Sequence, residues 1–203
     1  MTMMTSLQET LNAFTILLPT TAILLVYVLY LERFPENAAR AKLLFLLLGS
    51  AMHMPVSFTY HLGVAFGRYP DRLDNDMRRL DQSLQHVAGT IFAFALSSGE
   101  WYCTFFTFLN LLLNSLWIIA IWRTKNDGKR WMSVFFSILL YTLPILFRNF
   151  RIYALTLVSV VVGGTAAFVP YINLKVMGGW GHCFFHLCLC VFAYALILSE
   201  VSV

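Results

Sequence analysis

The chain has 203 residues, of which 59% are hydrophobic, 16% aromatic and only 12% charged, a balance that excludes an ordinary soluble domain. Its net charge of +4 is small and scattered, which argues against a nucleic-acid-binding surface and reads instead as membrane orientation.

Seven hydrophobic stretches follow one another: Asn12–Leu31, Leu43–Phe66, Leu80–Ser98, Trp101–Trp122, Trp131–Phe147, Ile152–Ile172 and Trp180–Ser199. Each has about the 17–25 residues that a helix needs to cross a bilayer. The expected fold is therefore all-α, a single seven-helix transmembrane domain over residues 1–203. No repeat, low-complexity run or long linker divides it. No basic segment precedes the first stretch, because Met1–Ala13 carries only Glu9 as a charged residue, so that stretch reads as a retained helix rather than a cleaved signal.

With the faces named by the N-terminus, nine basic residues fall on the N-terminal face: Arg68, Arg72, Arg78, Arg79, Arg123, Lys125, Lys129, Arg130 and Lys175. Five fall opposite: Arg33, Arg40, Lys42, Arg148 and Arg151. The excess leans toward a cytosolic N-terminus in a multi-pass membrane protein.

The second stretch carries His53, Ser57 and His61, the third Asp81 and His86, and the seventh His182 and His186. One histidine in hydrocarbon is commonly a packing residue bonded to a neighbouring helix. Five in three stretches point to a site. Alternating topology brings Ser57, His61, Asp81, His182 and His186 into one layer near the N-terminal face. His182 and His186 are four apart and share a helical face, so they can hold one metal ion together. A third nitrogen from His61 would leave a tetrahedral zinc one position for water, the pattern of a catalytic site. Asp81, the one acidic residue within the seven stretches, would hydrogen-bond that water and accept its proton.

His53 lies about 12 Å deeper than His61 at helical rise and either lines the cavity or replaces His61 as a ligand. His86 is turned away from Asp81 and reads as a pocket or packing residue. The four cysteines, Cys103, Cys183, Cys188 and Cys190, show no C-x-x-C spacing and read as buried thiols; Cys190, four residues past His186, is an alternative ligand. Asp71, Asp74 and Asp76 alternate with arginines and read as a solvated loop.

The remaining features read as scaffold. Gly163-Gly164 would allow close helix approach, Pro144 would kink its helix, and Asn110 and Asn114 would bond across the bundle. Trp101, Trp122, Trp131 and Trp180 stand at span ends as interfacial anchors, and Gly178-Gly179 make a flexible lead into the last helix.

The pattern Ser57-Phe-Thr-Tyr-His61, then Asp81 within Arg79-Leu80-Asp81-Gln82-Ser83, then His182-Cys-Phe-Phe-His186 resembles the CREST superfamily of seven-helix membrane proteins. That group includes the alkaline ceramidases, the progestin and adipoQ receptors, and the TMEM-eight-type proteins. The resemblance implies an intramembrane zinc held by His61, His182 and His186. It also implies that Asp81 orients or deprotonates the water, and that Ser57 polarises a substrate carbonyl. The implied substrate is a membrane lipid, a sphingolipid or phospholipid, cut at an amide or ester bond. The calcium-binding acidic segment of the alkaline ceramidases has no counterpart in Met1–Leu11, where Glu9 is the one acidic residue. The long N-terminal region of the adipoQ-type receptors has no counterpart here either.

Two other classes use the same histidines. A non-enzymatic receptor or structural protein would use the zinc to staple the second and seventh helices. A haem-binding electron carrier would need axial ligands on opposite sides of one iron, which neighbours on one helical face supply poorly.

Overall fold

The computed structural model describes residues 4–30, 37–97, 101–172 and 176–201, and these are helical almost throughout. In chain order they form α1 (Ser6–Thr15), α2 (Leu17–Tyr30), α3 (Asn37–Ala65), α4 (Asp76–Ala95), α5 (Trp101–Arg123), α6 (Asp127–Arg148), α7 (Phe150–Ile172), a 3₁₀ turn (Val176–Gly179) and α8 (Gly181–Val201). Arg33 and Lys175, which enter the charge count, lie outside the described residues.

Local chemistry starts several of these helices. Thr5 and Gln8 form a reciprocal capping box on α1. Asn75 and Asn126 cap α4 and α6, their side-chain oxygens accepting the amides of Arg78 at 2.8 Å and Lys129 at 3.0 Å.

Among the described residues, six segments are long and apolar enough to cross a membrane: Ser6–Leu29, Ala39–Ala65, Trp101–Arg123, Asp127–Arg148, Phe150–Ala167 and Gly181–Glu200. The first joins α1 and α2 across a break at Ile16. Many of their apolar side chains face outward, such as Val28 and Leu29 on α2, Phe108, Leu111 and Leu116 on α5, and Val158 on α7. Buried polar residues sit within. An apolar exterior around a polar interior suits lipid rather than water as the surrounding solvent, and the chain is a multi-pass membrane protein.

The count is six where the sequence predicts seven. The stretch Leu80–Ser98 forms α4, which is not apolar enough to belong to the set. Its residues Arg78, Asp81, Gln82, Ser83 and His86 lower the hydropathy, yet all five are buried. α4 packs against α3, α5 and α6, so its polar face is turned into the bundle.

Away from the polar end, Leu43, Leu46, Leu96, Ile145 and Leu196 form a tightly buried apolar core. α7 lies along α8, and Gly163 is the reason it can: a Cβ there would stand 2.7 Å from Cys188 Cβ and 3.0 Å from Phe185 Cδ2. Gly164 plays no such part, because a Cβ on it would meet nothing within 4 Å.

Candidate metal centre

His61 is carried in near the end of α3, and His182 and His186 come from the first turns of α8. The i, i+4 spacing puts the latter two on one face, with ring centroids 4.7 Å apart; His61 is 4.9 Å from His182 and 5.8 Å from His186. One ligand nitrogen of each lies within 4.8 Å of the others, and all three residues are buried. Three imidazoles converging on one point suit a single small cation and not an iron between two axial ligands.

The surroundings fit a cation. His61 Nδ1 is 2.8 Å from Glu9 Oε2, and the carboxylate can only accept, so Nδ1 carries the proton. His186 Nδ1 is 2.8 Å from Thr15 Oγ1, which accepts from Nδ1 when its own hydrogen goes to the Leu11 carbonyl, also at 2.8 Å. Nε2 of both rings is thereby left as an unprotonated ligand atom. His182 Nδ1 is buried without a hydrogen-bond partner among the described residues, an orphaned polar atom of the kind that a ligated cation would explain.

Beside the three rings opens a cavity. Ser57, His61, Asp81, His182 and His186, the residues predicted to share one membrane layer, all line it. So do His53 and Arg78. Farther along, the wall is mostly apolar, with Ile23, Phe92, Ile138, Leu189, Phe192 and Leu196 beside Thr20, Ser50 and Ser137. The ten residues from His186 to Leu196 on α8 span about 15 Å at helical rise. The space is therefore an elongated shaft with a polar head.

Asp81 is held from two sides. His53 Nε2 is 2.8 Å from its Oδ1, and Arg78 Nη1 is 3.2 Å from its Oδ2. His53 thus lines the cavity, as one of its two sequence readings expects, and is not part of the three-histidine group. His86 points elsewhere: its nitrogens bond Asn114 Oδ1 at 2.7 Å and Ser133 Oγ at 3.0 Å, and Asn110 and Asn114 bond each other. Cys190 lies outside the metal group, its thiol facing the His186 carbonyl at 3.5 Å. The acidic loop is ion-paired, with Arg79 bridging Asp74 and Asp76.

Trp131 corrects the anchor reading. It is only 6% exposed, whereas Trp101, Trp122 and Trp180 are exposed at span ends. Trp131 lines the cavity, with the Arg78 guanidinium 5.2 Å from its ring centroid and His182 6.5 Å away.

Glu9 and Thr15 are functional candidates that the sequence reading missed. The available signal was spacing: Gln8, Glu9, Asn12 and Thr15 make a polar stripe at i, i+1, i+4 and i+7 on a helix that enters an apolar run.

No family model, curated protein or solved structure matches the chain.

Proposed function

We propose that this protein is a zinc-dependent hydrolase that cleaves an amide or ester bond of a membrane lipid, with α4 crossing the membrane as a seventh span. One observation carries the reading. His61, His182, His186, Asp81 and Ser57 come from three helices and line the same end of a cavity whose far wall is mostly apolar. The CREST resemblance of Ser57–His61, Asp81 and His182–His186 supports the same assignment.

His61, His182 and His186 would hold the zinc. When bound, it would supply Lewis acidity and activate a water for attack. Asp81, fixed by His53 and Arg78, accepts the proton of the attacking water and returns it to the leaving amine or alkoxide. Ser57, one helical turn before His61 on the cavity wall, donates its hydroxyl to the oxygen of the scissile carbonyl. The apolar shaft takes the acyl chain, so a sphingolipid or phospholipid reaches the centre without leaving the bilayer. The excess of basic residues on the N-terminal face supports a cytosolic side for the polar head.

The test is release of fatty acid from N-acyl sphingolipids and glycerophospholipids in mixed micelles. The wild type is expected to release acid from at least one. Asp81→Ala is expected to keep its zinc and lose about 100-fold or more in turnover. A zinc-loaded wild type that releases nothing across the panel would overturn the reading and favour a zinc-stapled receptor or structural protein.

A further inference from the structure

The geometry points to α1 as the orienting frame of the metal centre, with Glu9 and Thr15 as positioning residues for His61 and His186. The inference rests on the metal-centre reading above and adds what fixes the ligands.

Glu9 is a carboxylate at 1% exposure on a segment otherwise suited to lipid, where an unpaired charge is costly. Three groups satisfy it: His61 Nδ1 at 2.8 Å, Asn12 Nδ2 at 3.2 Å, and Arg72, whose Nη2 pairs with Oε1. Pairing with Arg72 alone would balance the charge. The bond to His61 does something further, because it sets the tautomer and the ring plane of a ligand and raises the basicity of its other nitrogen.

Thr15 stands six residues on along the same helix and treats His186 in the same way. Its hydroxyl lies 2.8 Å from His186 Nδ1 and 2.8 Å from the Leu11 carbonyl, a relay that leaves the oxygen lone pair for the imidazole proton. Two of the three ligands, on different helices, are thus oriented by one ten-residue element.

The rest of that face fastens α1 to the start of α8. Gln8 Nε2 donates to the Gly178 carbonyl at 2.8 Å, and Cys183 Sγ lies 2.8 Å from Asn12 Oδ1. The receiving turn is shaped for this approach. Gly179 has φ 91°, and a Cβ on it would come within 2.8 Å of the Gln8 amide.

The deciding experiment is zinc affinity, by chelator competition, of the full-length detergent-purified chain, with the melting temperature of each metal-free variant beside it. Glu9→Gln keeps size and an acceptor oxygen but removes the charge; Thr15→Val keeps shape and removes the hydroxyl. Both are expected to bind zinc about tenfold more weakly, with metal-free melting close to wild type for Thr15→Val and lowered for Glu9→Gln, which leaves Arg72 without its counter-charge. Wild-type affinity in the folded variants would overturn the inference and leave Glu9 as an ion-pair partner of Arg72. Should Glu9→Gln fail to fold, Thr15→Val alone decides. A wild type that binds no zinc defeats the underlying reading instead, and is a different outcome.

Discussion

His53 Nε2 lies 2.8 Å from Asp81 Oδ1, joining α3 to α4 at the polar head of the cavity. Arg78 Nη1 takes the other carboxylate oxygen at 3.2 Å. Asp81 is therefore not a loose carboxylate beside the three-histidine cluster but one clamped in a single orientation. Proton transfer depends on such orientation, because the acceptor must lie within hydrogen-bond reach of the proton it takes.

His53→Ala is expected to lower turnover about 10- to 100-fold, the worth of one hydrogen bond to a charged group. Zinc content should be unchanged, since His53 is outside the metal group. Paired activity and metal assays check this. A simultaneous loss of zinc would mean that His53 is itself a ligand.

Leu196 lies at the apolar end of the shaft, about 15 Å along α8 from His186. Leu196→Trp should shorten the preferred acyl chain and leave hydrolysis of short-chain substrates near wild type. Competition between lipids of graded chain length, read by mass spectrometry of the released acids, measures the shift.

Gly163 and Gly164 should behave differently although they are adjacent. Gly163→Ala drives a methyl to 2.7 Å from Cys188 Cβ and is expected to cost about 1–3 kcal/mol. Gly164→Ala meets nothing within 4 Å and should be neutral or stabilising by about 0.5–1 kcal/mol. Thermal unfolding in detergent compares the two.

Glu200 tests the other end of the molecule. Its side chain is fully buried, with Oε2 2.7 Å from Lys42 Nζ and Oε1 2.6 Å from Arg148 Nη2, tying α8 to α3 and α6. Glu200→Ala leaves two cations without their counter-charge and should destabilise the fold by about 3 kcal/mol. It sits about 21 Å from His186 at helical rise. Zinc affinity of the folded protein should therefore not change.

Much of this was legible in the sequence, and what was not has identifiable causes. The helices follow from long apolar runs. The sequence brings Ser57, His61, Asp81, His182 and His186 together by assuming seven alternating crossings; the structure puts all five on one cavity, with six candidate spans among the described residues. The span count was less secure, because α4 earns its place in the bundle through buried Arg78, Asp81, Gln82 and His86, whose partners are invisible to a hydropathy average. Trp131 reads as an anchor by position along its span, but position does not reveal which way a ring faces. Glu9 looked like an isolated acid ahead of the first apolar run. Only the fold shows that α1 lays it against His61, 52 residues away in sequence.

The central claim is that His61, His182 and His186 hold one zinc ion. The most direct measurement is metal content by mass spectrometry on detergent-purified wild type beside His186→Ala. About one zinc per chain in the wild type and little in the variant is the expected result. A folded wild type without zinc would contradict the account and return the three histidines to packing.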